Sequence, residues 1–143
     1  MQVQQVSVFL ENKAGRLANV AAVLKDSGVN IRALTIAESE NYGILRMIVD
    51  KPDETMKVLK TAGFMAKQNP VLAVEIDDRK GILYDIVKLC DTEAVNIEYM
   101  YSFVEQTSQK AILFLRFDET ERAVQMFSAN GYKLLSPEEA CRI

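Results

Sequence analysis

The chain contains no histidine and no tryptophan, and only two cysteines and three prolines among its 143 residues. Without histidine the commonest general base and the commonest metal ligand are missing, and no Ser-His or Cys-His nucleophilic pair can be assembled. Cys90 and Cys141 stand too far apart for a C-x-x-C zinc or redox motif and read as reduced thiols of a cytosolic protein. No metal and no cofactor is expected, and most hydrolytic chemistry is excluded. Long apolar runs are absent too: none approaches the roughly 18 residues of a membrane span. The first residues, Met1 to Gln5, form neither a basic n-region nor an apolar h-region. A cytoplasmic protein that does not engage a membrane is the expectation. Basic clusters are also missing. Residues 1–68 hold 9 Lys and Arg against 7 Asp and Glu, residues 69–143 hold 8 against 13, and the net charge is -3. Binding a phosphate backbone needs clustered Lys and Arg, so no nucleic-acid partner is expected.

What is present is a core. With 49% hydrophobic and 26% charged residues the composition is that of an ordinary globular protein. The length suits one domain, or two of about 70 residues that would each be marginal alone. Sliding the sequence on itself by 66 residues favours the second arrangement. Leu10-Glu11-Asn12-Lys13-Ala14-Gly15-Arg16-Leu17 falls on Ile76-Asp77-Asp78-Arg79-Lys80-Gly81-Ile82-Leu83, and Val29-Asn30-Ile31 falls on Val95-Asn96-Ile97. Beyond a two-residue insertion the offset becomes 68, pairing Leu45 with Leu113, Asp50 with Asp118 and Gly63 with Gly131. An even insertion preserves strand parity, as a hairpin loop requires.

Each copy reads in the same order. Val6, Val8 and Leu10 alternate along a first strand that stops at the polar segment Glu11 to Arg16. Leu17, Val20, Val23, Leu24 and Ser27 then recur at helical spacing, and Gly28 is placed to close that helix in a left-handed cap. The second copy offers Leu83, Ile86, Leu89 and Cys90, so Cys90 reads as core. Two strands follow, Ile31 to Ala37 and Ile44 to Val49, joined by the hairpin Glu38 to Gly43. Asp50 and Pro52 open a short second helix, and Asp118 with Glu121 offers a capping box in the second copy. Fourth strands are expected at Phe64 to Lys67 and Tyr132 to Leu135. Ser136-Pro137-Glu138-Glu139 starts a last short helical turn.

The order βαββαβ, twice, defines an α+β chain of two tandem ferredoxin-like sandwiches with boundaries at 1–68 and 69–143, and with Gln68-Asn69-Pro70 as a short junction. In the third strands Leu45, Met47 and Val49, with Leu113, Leu115 and Phe117, should face the helices. Ile44, Arg46 and Ile48, with Ile112, Phe114 and Arg116, are left on an open face too apolar to be fully wet. The other copy, a second chain or a partner should cover it, and packing as an intramolecular pseudo-dimer is expected because no flexible linker separates the copies.

This fold hosts many functions, so the site must decide. An acylphosphatase needs a phosphate-cradling loop richer in glycine than Glu11 to Leu17. A metal chaperone of this topology needs C-x-x-C in the first loop. An RNA-recognition module needs paired aromatics amid basic charge, whereas Phe114 and Phe117 have opposite parity in an acidic half. The pattern that fits is a strand, a polar-x-x-Gly-x-Leu turn into a helix, and Val-Asn-Ile opening the second strand, present twice. With it the chain resembles the ACT domain family of small-molecule-binding regulatory modules over essentially its whole length. Glu11 to Leu17, Ile36-Ala37-Glu38, Gly43-Ile44-Leu45-Arg46 and Ile97 to Phe103 are similar to free-standing tandem ACT proteins, some of which are amino-acid-binding proteins or relatives of acetolactate synthase regulatory subunits.

The first loop suits an amino-acid ligand. Lys13-Ala14-Gly15-Arg16 lies where a strand ends and a helix begins, so unpaired N–H groups and the positive helix end can meet a carboxylate. Gly15 and Gly81 permit close approach, and equally they fit a tight strand-to-helix turn. Asn30 and Asn96 can orient an ammonium or carboxylate, or serve the turn through left-handed dihedrals. Tyr99, Tyr101 and Phe103 share one strand face, as a cross-strand aromatic ladder or as a pocket wall whose hydroxyl donates. The family resemblance implies a ligand where the first loop of one module meets the second strand of its neighbour. That pairs Asn12, Lys13, Ala14, Gly15, Arg16 and Leu17 with Asn96, Tyr99, Met100 and Tyr101, and Asp78, Gly81, Ile82 and Leu83 with Asn30 to Leu34.

The resemblance thus implies a non-catalytic sensor that binds a free amino acid and acts through a homodimer or a partner enzyme. The alternative is a regulatory subunit of an amino-acid biosynthetic enzyme, acting by protein-protein contact. The repeat also carries a stability prediction: residues 1–68 alone should lack a cooperative unfolding transition, because so small a module buries little core and leaves its open face wet. Chemical denaturation of that fragment checks this, and stability equal to that of the whole chain would refute it.

Overall fold

The computed structural model describes residues 1–104 and 109–142. Its elements run β1 (Val3–Glu11), α1 (Arg16–Asp26), β2 (Ile31–Glu38), β3 (Tyr42–Val49), α2 (Pro52–Thr61), β4 (Met65–Asp77), α3 (Ile82–Thr92), β5 (Ile97–Val104), β6 (Lys110–Phe117), α4 (Thr120–Ala129), β7 (Lys133–Leu134) and α5 (Pro137–Ala140). Two compact units result. The N-terminal unit holds Gln4–Asn69 with Arg142, and the C-terminal unit holds Pro70–Cys141 with Met1–Val3.

In the N-terminal unit β3 lies between β2 and β1, and β1 adjoins the first part of β4, where Ser7 reaches Asn69 and Lys67 lies over Phe9. In the C-terminal unit β6 lies between β5 and β4, and β7 pairs with β4. Both show the order fourth, first, third, second, which is that of a βαββαβ sandwich with helices on one face. The duplication is visible in the register itself. Val6 opposes Met47 and Val8 opposes Leu45 in one unit, while Leu72 opposes Leu115 and Val74 opposes Leu113 in the other. These are the offsets of 66 and 68 found in the sequence. Even the irregularity repeats: the second strand shifts register between Ile31 and Ala33 and again between Ile97 and Tyr99.

Alternation explains the two cores. Val6, Val8 and Leu10 of β1 and Leu45, Met47 and Val49 of β3 meet Val20 and Leu24 of α1 and Leu59 of α2. Leu72, Val74, Ile76, Leu113, Leu115 and Phe117 meet Ile86, Ala123 and Phe127. Phe127 is edge-on to both Phe117 and Tyr132, at 5.9 and 5.6 Å between ring centres, an arrangement that aromatic quadrupoles favour. Cys90 is buried among these side chains, and burial pushes its thiol pKa up, so it is an inert core group.

Four sequence expectations are corrected. The strand expected at Phe64 to Lys67 does not stop there but runs on through Gln68-Asn69-Pro70 as β4, a single strand of 13 residues, and the boundary between the two units falls within that junction, after Asn69. Proline usually interrupts a strand because it lacks a donor, yet here its carbonyl is still used, accepting from Nη1 of Arg116 at 2.8 Å. The fourth strand expected at Tyr132 to Leu135 is only Lys133–Leu134. Neither second helix is capped by the expected aspartate. Lys51 and Glu119 stand at the N-cap without side-chain cap bonds. Asp50 instead accepts from the Asn30 N–H at 2.9 Å, and Asp118 accepts from the Glu119 N–H at 2.8 Å, so each carboxylate stands one residue ahead of the N-cap and is used elsewhere. Ser136 does make its capping box with Glu139.

The fourth correction concerns the asparagines. Among the described residues outside glycine only Ala94 has positive φ, at 52°. Asn30 and Asn96 therefore do not supply the left-handed residue of the helix-to-strand turn. Gly28, at φ 67°, and its repeat partner Ala94 do, because the first residue beyond each helix C-cap must turn the chain back. Alanine in that region is strained where glycine is not. Ala94→Gly is accordingly expected to raise stability by up to about 1 kcal/mol, and Gly28→Ala to lower it by about as much, as measured by urea denaturation.

Candidate functional site

The strand-to-helix turn is the same in both units. The Lys13 N–H donates to the Glu11 carbonyl at 2.8 Å and the Arg16 N–H to the Lys13 carbonyl at 3.3 Å, after which Asn19 makes the first long helical bond, to Gly15, at 3.0 Å. In the second copy Arg79 donates to Asp77 at 2.9 Å, Ile82 to Arg79 at 3.3 Å and Asp85 to Gly81 at 3.1 Å. Gly15 and Gly81 occupy the N-cap positions with φ of 88° and 87°. A Cβ built on either would meet nothing within 4 Å, so the demand for glycine lies in the dihedral and not in crowding. Ahead of each first helical bond the opening N–H groups face the loop, at the positive end of the helix.

Equal backbones carry unequal charge. At the N-terminal loop Glu11 is bracketed by two cations, Lys13 Nζ at 2.9 Å and Arg16 Nη2 at 3.3 Å. The hydrogen bond from Lys13, then its charge and that of Arg16, hold the Glu11 carboxyl below the ordinary glutamate range. At the C-terminal loop Lys110 Nζ lies 2.6 Å from Asp77, whose pKa is lowered first by that hydrogen bond. Arg79 is tied to Asp85, which raises the pKa of the guanidinium. Among the described residues no three His, Cys, Asp or Glu side chains group as a metal site, and no helix is long and apolar enough to cross a membrane.

The candidate residues fall out as follows. Asn12, Lys13, Ala14 and Gly15 are exposed in the loop, Arg16 is half-buried and Leu17 is exposed on the first turn of α1. Asp78, Gly81 and Leu83 are exposed in the matching loop of the C-terminal unit, while Ile82 packs against that unit's core. Asn30 is exposed, its main chain held to Asp50. Asn96 is exposed and lines a depression of about 460 Å³ with Cys90, Asp91 and Ala94. In β5, Met100 turns inward onto the core. Tyr101 lies against Phe114 across the sheet, ring centres 5.3 Å apart and planes at 24°, which is the aromatic-ladder reading of that residue. Tyr99 opposes Arg116 in the same ladder.

One feature of the N-terminal unit was not among the candidates. A depression of about 380 Å³ opens beside the first loop, lined by Phe9, Glu11, Arg16, Tyr42, Phe64 and Met65. Of these only Arg16 is among the candidate ligand residues, although Glu11 belongs to the same motif. The signal was available nonetheless: Tyr42 and Met65 are large apolar residues at strand starts, next to turns that otherwise carry polar residues, and both are strongly exposed.

Two βαββαβ units, each with a helix opening from a left-handed glycine at the end of its first strand, make a tandem ferredoxin-like α+β chain. The chain belongs to the ACT domain pair family, which it matches over residues 1–142. It is similar to protein BT0572 from Bacteroides thetaiotaomicron, with 34% identity, 100% of this chain and 98% of that chain covered, and a TM-score of 0.94. The ligand-free regulatory subunit of aspartate kinase from Thermus thermophilus shares the fold at 16% identity, 88% and 90% coverage and TM-score 0.63. Aspartokinase III of E. coli, in complex with lysine and aspartate, shares it at 17% identity, 90% and 31% coverage and TM-score 0.54. No curated protein matches the chain.

Because Gly15 sits at φ 88°, Gly15→Ala is expected to destabilise the chain by about 1–2 kcal/mol. Denaturant unfolding measures this, and an unchanged midpoint would show that the turn tolerates a side chain.

Proposed function

We propose that this chain is a non-catalytic regulatory protein that binds a free amino acid and passes its occupancy to a partner. The observation that supports the reading best is the strand–glycine–helix turn at Gly15 and Gly81 within a pair of ACT domains. Each turn aims the first N–H groups of a helix at its loop, a geometry that stabilises a carboxylate without any catalytic group. The absence of histidine from the sequence removes the usual general base, in keeping with binding in place of turnover. The ligand contacts proposed are those of the family likeness: Asn12 to Leu17 with the second strand of a neighbouring module, at Asn96 to Ser102, and Asp78 to Leu83 with Asn30 to Leu34. The cytoplasm, where Cys90 and Cys141 stay as thiols, is the proposed location.

A second reading, a subunit that regulates a biosynthetic enzyme by contact, draws on β2. This strand ends the sheet order and exposes Leu34 and Ile36, at 52% and 45%, so both backbone edge and apolar side chains are open to a partner. Co-purification separates the two readings.

A thermal-shift screen of the twenty amino acids at millimolar concentration tests the first. A ligand at about 100 times its Kd adds about 2.7 kcal/mol of stability and raises Tm. No shift with any of the twenty would overturn the proposal.

A further inference from the structure

The depression beside the first loop carries more than its position. Its walls are of two kinds. Phe9, Phe64 and the exposed faces of Tyr42 and Met65 make an apolar recess, and Met65 and Tyr42 leave 71% and 61% of their surface to solvent. At its rim stands a charge constellation in which one carboxylate, Glu11, is shared by two cations, Arg16 and Lys13. Such a rim has an unspent positive charge next to an anion. An α-amino acid presents the complement on adjacent atoms: its carboxylate can take Arg16 and its ammonium Glu11, replacing one exposed internal pair by two charge-assisted contacts. A peptide terminus offers only one of the two charges.

The internal repeat serves as a control. The positions of Phe9, Arg16, Tyr42, Phe64 and Met65 correspond to Glu75, Ile82, Lys110, Tyr132 and Lys133 in the C-terminal unit. There the recess is replaced by ions already paired, Lys110 with Asp77 at 2.6 Å and Lys133 with Glu75 at 3.3 Å, and the arginine is an isoleucine packed on the core. The same backbone thus has an apolar, zwitterion-matching mouth in one unit and a self-neutralised one in the other.

The geometry points to one ligand per chain, held in the N-terminal unit by its own residues: a free L-α-amino acid whose uncharged aromatic or long apolar side chain fills the recess of Phe9, Tyr42, Phe64 and Met65, with its charged groups on Arg16 and Glu11. This rests on the amino-acid reading above; of the contacts proposed there it keeps the first loop of the N-terminal unit, dispenses with the second loop and the neighbouring strands, and gives the site a side-chain class. The Lys67 ammonium, 5.7 Å from the Phe9 ring centre, adds positive charge beside the recess and disfavours lysine and arginine as ligands.

Calorimetry on the full chain, with L-phenylalanine as the apolar probe and L-aspartate as its charged counterpart, tests the assignment. One equivalent of L-phenylalanine per chain is expected, bound at least about tenfold more tightly than L-aspartate or 3-phenylpropionate, which lacks the ammonium. Met65→Glu and Arg16→Gln should each weaken it about tenfold or more at unchanged Tm of the free protein, while Lys110→Ala leaves it unaltered. Two equivalents per chain, tighter binding of L-aspartate, or affinity indifferent to Met65→Glu and Arg16→Gln would overturn this site and side-chain class while leaving amino-acid binding intact. Failure of all twenty amino acids in the thermal-shift screen removes both.

Discussion

One backbone requirement underlies each unit: the residue before the first helix must hold a positive φ. At Gly15 and Gly81 the chain leaves an extended strand and within a few residues runs back as a helix over the same sheet. Only that reversal lets Val20 and Leu24, or Ile86 and Cys90, meet the inward rows of the first and third strands and close a core. It also leaves the helix N-terminus at the strand end, so the place where the fold is most constrained is the place where an anion is best received. In the proposed binding role, stability and ligand chemistry share a residue, and glycine answers both demands.

With the backbone held in common, the two units are free to differ in side chains at the loop. Glu11 with Lys13 and Arg16 is a cluster with positive excess. Asp77 with Lys110, and Arg79 with Asp85, are pairs that close on themselves. Exposed pairs of this kind add little to stability in water. Under the proposed amino-acid site their difference sets what each mouth can receive, since a rim whose charges are already paired offers little to a zwitterion.

Much of the fold was legible because the signals are local. Alternation in Val6, Val8 and Leu10, helical spacing from Leu17 to Ser27, and the glycines after each helix are set by backbone geometry within a few residues. The repeat then doubled each signal, and the strand registers reproduce its two offsets. The first loop was legible for the same reason. Cap assignments failed where a side chain had a competing partner, as Asp50 did in the Asn30 N–H. The continuation of the fourth strand through Gln68-Asn69-Pro70 was not legible because polar residues and a proline break the apolar alternation, whereas a strand can pass through them when its neighbours supply pairing on either side of the proline.

The sequence by itself determined the duplication, the order of elements, the inward rows of each sheet and the two glycines that no other residue could replace without strain. These follow from periodicity and from the allowed dihedrals of single residues. Tertiary structure alone decided that Met100 turns into the core and that Tyr101 lies on Phe114. It alone brought Phe9, Tyr42, Phe64 and Met65 from three strands and a turn around one recess beside Arg16. Those outcomes depend on which distant residues face one another once the strands are paired, and pairing joins positions that local spacing cannot connect.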